Sequence, residues 1–166
     1  SFCGADVGGF FGNPDGELFV RWYQAAAFQP FFRSHAHIDS KRREPWLYKD
    51  SDMKLIRDAI RLRYSYLPYW YTLFYENEKT GVPPMRPLWY EFPRDEGTFA
   101  FENVHMVGEA LLVTPVSQAG ASHVNVYFPS ESVWYDIHTY ERIERQGEVS
   151  VPVTYDRIPV YQRGGS

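Results

Sequence analysis

Cysteine is nearly missing from this chain of 166 residues. Cys3 is the single one, so an internal disulfide is excluded and the redox compartment stays undecided. Its place in a run of small residues predicts a buried structural thiol. Positive charge is not in excess either. Seventeen Lys and Arg against 21 Asp and Glu leave a formal net charge of −4, which gives no basic footprint for nucleic acid. No apolar run approaches the roughly 18 residues that a membrane span needs. No initiator Met or signal peptide opens the chain, and Ser1 stands in what reads as a buried strand. The expectation is a fragment of a larger protein.

What the chain has is a hydrophobic fraction of 44%, enough for a buried core, and many aromatics: 13 Tyr, 12 Phe and 5 Trp. Aromatic faces suit sugar rings, but they fill cores as readily.

The chain is organised around residues 4–37. Two short runs, Ser1–Phe10 and Phe31–His37, pass from small or apolar residues into polar groups, and a helical segment lies between them. Asp6 is followed by Gly8 and Gly9, and Arg33, Ser34 and His35 close the second run. Strand, helix, strand with polar groups at the strand ends is the unit of a (β/α) barrel or a doubly wound sheet. Both folds bind ligands at those ends.

The first helix is predicted to start with Asn13 as N-cap and Pro14 at its first position, to present Leu18, Trp22 and Ala25 as its apolar stripe, and to stop at Pro30. A charged loop, Lys41-Arg42-Arg43-Glu44-Pro45-Trp46, reads by itself as solvated. A second helix is expected from Ser51 to about Lys79, kinked at Pro68 and ended by Gly81. Pro83, Pro84, Pro87 and Pro93 then make a stiff crossing over residues 82–95 with no room for helix. Short strand candidates follow at Ala110–Val116, His123–Phe128, Val133–Ile137, Glu148–Val153 and Ile158–Gln162. Their spacing predicts a β-sandwich over residues 96–166.

Asp6, Arg33 and His35 are the candidates for chemistry, since all three sit at predicted strand ends. Asp6 could equally cap a turn or pair with Arg33, and His35 could be a core histidine. The run Gly4–Gly9 lacks both the Gly-Lys-Ser/Thr ending of a nucleotide loop and the dinucleotide spacing. His35 and His37 have no third ligand nearby, so no metal site is assigned. No nucleophile elbow or Ser-His-Asp order is present.

Several runs resemble family 31 of the glycoside hydrolases: Phe2–Phe10, Arg21-Trp22, Pro30–His35, Met85–Leu88, Gly108–Val113, Val133–Asp136 and Ile158–Gly165. Together they cover nearly the whole chain in order. The loop His35–Leu47 is similar to the branch that trims glucose from N-linked glycans in the endoplasmic reticulum. The resemblance implies the C-terminal part of a (β/α)₈ TIM barrel over residues 1–81, with strands seven and eight at Phe2–Val7 and Phe31–His35, followed by a proximal β-sandwich. It implies a retaining α-glucosidase in the endoplasmic reticulum lumen, with a regulatory β subunit and no cofactor. Both catalytic aspartates of the family lie on earlier barrel strands, so no catalytic residue is expected here. His35 would bind glucose hydroxyls in the −1 subsite and Phe10 would wall it, with Asp6 and Arg33 as supporting residues. Asp6 and Arg33 are expected to form a partly buried ion pair. The alternatives are another family 31 activity (a general α-glucosidase, α-xylosidase or α-glucan lyase) or a non-catalytic sugar-binding homologue.

Overall fold

Asp15, not Asn13, caps the first helix of the computed structural model, which describes residues 1–166. Helix α1 (Gly16–Ala26) starts where the Asp15 carboxylate accepts the Leu18 amide at 2.8 Å. Asn13 is drawn elsewhere: its side-chain oxygen accepts the Lys41 amide at 2.8 Å. The helix ends at an Ala27 cap, three residues before Pro30. Leu18 stays 48% exposed, because the neighbouring stripe of Phe19, Val20, Tyr23 and Ala26 takes the core instead.

The second helix is not one kinked rod but two helices. Helix α2 (Asp50–Ser65) and helix α3 (Leu67–Thr80) part at Tyr66. Pro68 lies in the first turn of α3, where its missing amide costs no bond. Gly81 ends α3 in the left-handed conformation, at φ 77°, as expected of a glycine cap. Helices α1 and α2 pack through Phe19, Val20, Tyr23, Ala26, Ile56 and Ala59, with Val7 beneath them.

The crossing of residues 82–95 does hold regular structure, against expectation. It contributes strand β1 (Met85–Arg86) and the short helix α4 (Leu88–Glu91), with Pro87 as the α4 cap. A proline before the first turn costs the helix nothing. The strands that follow are β2 (His105–Val107), β3 (Leu111–Val113), β4 (His123–Phe128), β5 (Trp134–Asp136), β6 (Arg142–Ile143), β7 (Gly147–Pro152) and β8 (Val160–Arg163). One antiparallel sheet runs β1-β2-β3-β8-β5-β6, and β4 pairs with β7 in a second.

Register explains why β2 and β3 are buried on both faces. Met106, Leu112 and Tyr161 are cross-strand neighbours, so they share one face. That face packs on Val126 and Phe128 of the second sheet and on Leu88, Phe92 and Trp134. The alternate residues Val107, Leu111, Val113 and Val160 face the other way, against Ala27, Phe28, Trp70 and Leu73. The larger sheet is therefore the middle layer, with the small sheet on one side and the helices on the other.

Polar contacts lock the two halves. Arg21 Nη1 donates to the carbonyls of Thr154 and Arg157 at 3.0 and 3.1 Å. Buried His105 on β2 places Nε2 3.2 Å from the Phe28 carbonyl at the end of α1.

Candidate sugar-binding site

Two runs flanking α1 build the site. They run parallel as predicted, but pair through a single bridge, Asp6 with Arg33, rather than as regular strands. Phe31 N donates to Cys3 O at 3.0 Å and Val7 N donates to Arg33 O at 2.9 Å. These two bonds flank the bridge and are the backbone links between the runs there. Cys3 is exposed, not buried, which corrects the expectation of a core thiol.

The bridge sets two charged side chains together. Arg33 Nη2 donates to Asp6 Oδ1 at 3.0 Å. The expected pair is formed, and Asp6 is 22% exposed while Arg33 is 52% exposed. The Arg33 guanidinium also lies over the Phe31 ring, 5.1 Å from its centre.

After Asp6 the chain turns, with Gly9 N donating to Asp6 O at 2.8 Å. Gly8, Gly9 and Gly12 adopt φ of 89°, 84° and 74°, the region that glycine enters without a Cβ clash. This loop carries Phe10 to the polar end of the second run. The Phe10 ring stacks against His35 at 5.6 Å with the planes 29° apart, and meets His37 edge-on at 5.6 Å. The Phe10 carbonyl accepts the His37 amide at 2.8 Å. His35 itself is exposed within these 166 residues. The Asp39 amide lies 3.3 Å from His37 Nδ1, and the Asp39 carboxylate lies 3.4 Å from the same nitrogen. Beneath the second run, burial raises the pKa of the Tyr23 hydroxyl, opposed by a hydrogen bond with Ser34.

The charged loop is only partly solvated. Lys41 and Arg42 are exposed, but Arg43 is buried at 7%. Arg43 Nη1 donates to Gly8 O at 3.0 Å and Gly9 O at 2.6 Å, and Nη2 donates to Gly12 O at 2.7 Å. Composition hides this role, because a guanidinium that collects backbone carbonyls looks like any basic residue in a polar loop. The only sequence signal is indirect: a glycine loop turns carbonyls inward, and they need donors. Among groups of three or more His, Cys, Asp or Glu, none converges as a metal ligand set.

An imidazole and a phenyl ring held side by side can bind a ring that is apolar on its face and polar at its rim. The family model for the TIM-barrel domain of glycosyl hydrolases family 31 matches residues 1–73. The model for the C-terminal domain of the same family matches residues 81–166. The chain belongs to glycoside hydrolase family 31.

Its fold is the C-terminal part of that family's barrel followed by an all-β domain. Neutral alpha-glucosidase AB of Mus musculus is 58% identical over 167 residues, covering 100% of this chain and 18% of the relative. Neutral alpha-glucosidase C of Homo sapiens is 56% identical with the same coverage. The crystal structure of a glucosidase II alpha subunit in a Glc1Man2-bound form superposes with a TM-score of 0.93 at 42% identity. It covers 98% of this chain and 18% of that one. An ER glucosidase II complex of catalytic subunit and binding domain of the regulatory subunit matches with the same TM-score, identity and coverage. The chain thus spans about a fifth of the length of the relatives it matches.

Proposed function

We propose that these residues belong to a retaining α-glucosidase that removes terminal α-linked glucose from N-linked glycans in the endoplasmic reticulum lumen, beside a regulatory β subunit. The observation that carries the reading is the juxtaposition of His35 and Phe10, rings stacked at 5.6 Å on the polar ends of two adjacent runs. A neutral sugar needs both: a hydrogen-bonding group for its hydroxyls and an apolar wall for its C–H face. Identity of 58% to a neutral alpha-glucosidase along the whole chain supports the substrate class. Likeness to the catalytic subunit of the ER glucosidase II complex supports the partner and the compartment.

In this reading His35 bonds glucose hydroxyls in the −1 subsite, Phe10 walls it, and Asp6 and Arg33 support it from behind. Retention requires two carboxylates about 5–5.5 Å apart, one as nucleophile and one as acid/base. Asp6 is bound to Arg33, and Asp39 lies beside His37 with its side chain 87% exposed. Neither takes a catalytic role, and both catalytic aspartates come from outside residues 1–166. The division into a barrel part over residues 1–81 and a sandwich over 96–166 is proposed with them, the crossing giving β1 and α4 to the sandwich.

The test is hydrolysis by the full-length protein of p-nitrophenyl α-glucoside, p-nitrophenyl α-xyloside and a glucosylated N-glycan. Release of glucose from the first and third, with retained anomeric configuration, is expected. Preference for the xyloside, or no turnover, overturns the reading.

A further inference from the structure

We infer that Arg43 is the positioning residue for the wall of the sugar site: its guanidinium holds the glycine loop that carries Phe10. This rests on the α-glucosidase reading above. Gly8, Gly9 and Gly12 flank Phe10 on both sides, and their three carbonyls all accept from Arg43, at 3.0, 2.6 and 2.7 Å. Three glycines at positive φ make a loop with much freedom to lose, so something must fix it. None of the hydrogen bonds of Arg43 goes to a carboxylate, so its buried charge is met by carbonyl dipoles of this loop. Two further bonds tie the same segments: the His37 amide to Phe10 O at 2.8 Å and the Lys41 amide to Asn13 Oδ1 at 2.8 Å. From below, Phe19 presses on Gly8, where an added Cβ would meet its ring at 2.6 Å. The loop therefore sits between the α1 core and the Arg43 fork. Phe10 keeps its place against His35 because the backbone on either side of it is fixed. Lysine cannot substitute, since one ammonium on a flexible stem does not span three carbonyls with a planar fork.

The experiment uses the full-length enzyme and four variants: Arg43→Ala, Arg43→Lys, Phe10→Ala and the double variant Arg43→Ala/Phe10→Ala. With p-nitrophenyl α-glucoside, Arg43→Ala and Arg43→Lys should each lower kcat/KM tenfold or more. The double variant should fall no more than about twofold below Phe10→Ala alone, because residues that act through one another are not additive. Multiplicative losses, or a normal kcat/KM beside a lowered Tm, would overturn the inference. Hydrogen exchange across Gly8–Asn13 gives a second readout that needs no turnover. Exchange there should rise in Arg43→Lys while β4 and β7 stay protected, and unchanged protection of the loop overturns the inference. A wild-type protein that hydrolyses no α-glucoside refutes the activity, and the exchange result then decides the role of Arg43 by itself.

Discussion

Asp6 and Arg33 are joined twice, by a parallel backbone bridge and by a 3.0 Å contact between carboxylate and guanidinium. The two links are mutually dependent, since the bridge sets both Cα atoms at the distance from which the side chains meet. Arg33 is half exposed, so the pair is closer to a surface bridge than to a buried one. The cost of losing it is on the order of 1 kcal/mol, below the roughly 3–5 kcal/mol of breaking a buried pair. In the full-length protein Asp6→Asn, which keeps an oxygen for Arg33, should lower Tm little and kcat/KM only a few-fold. Asp6→Ala should be worse on both. Equal kcat/KM in wild type and Asp6→Ala would remove Asp6 from the supporting role.

His35→Ala should lower kcat/KM with little change in folding, because the ring is exposed and packs mainly on Phe10. A hydrogen bond to a sugar hydroxyl contributes about 0.5–1.5 kcal/mol if neutral and about 1.5–3 if charged. The upper figure is about a hundredfold in rate. Steady-state kinetics beside a circular dichroism melt checks this. Wild-type kcat/KM in a folded His35→Ala enzyme would refute the contact with substrate.

Gly4→Ala tests how the two runs are held together. A Cβ at Gly4 would stand 2.0 Å from the Phe31 carbonyl oxygen, a backbone atom that cannot swing aside. The runs must move apart, which strains the Asp6–Arg33 bridge two residues on. Loss of soluble full-length protein, or a fall in Tm of several degrees, is expected. An unchanged melt would show that the runs slide past one another freely.

The parts legible in the sequence are those where one local signal has no rival. Gly81 is such a case, as is His123–Phe128, whose observed strand has the predicted bounds. The parallel approach of Asp6 and Arg33 was legible from two polar strand ends in a strand, helix, strand unit. What was not legible was decided over distance. Asn13 and Asp15 are equally good caps, and the Lys41 amide, 28 residues along, settles the matter by taking Asn13. Leu18 and Phe19 start competing stripes on α1, and only the position of α2 selects the second. A two-residue strand such as Met85–Arg86 has no alternation to read, and Arg43 has no periodicity at all.

His105 makes the seam between the two halves sensitive to acid. It is buried on β2, with Nε2 3.2 Å from the Phe28 carbonyl. Burial pushes its pKa down to about 4 from an ordinary 6.5, and the hydrogen bond to Phe28 offsets only part of that. Between those two values the unfolded chain binds a proton that the native chain refuses. Stability is therefore fully present above pH 6.5 and is lost as pH falls toward 4. The difference of two to three pKa units corresponds to roughly 3 kcal/mol at the acid end. Carboxylates titrate in the same range, so the signal is the difference between wild type and a variant that cannot titrate. His105→Gln retains an amide donor for Phe28. Its Tm should start somewhat below that of wild type at pH 7.5 and fall less on going to pH 4.5, narrowing or reversing the gap. Parallel melting curves across that interval would show that His105 already takes up its proton in the folded protein, and that burial does not hold it neutral.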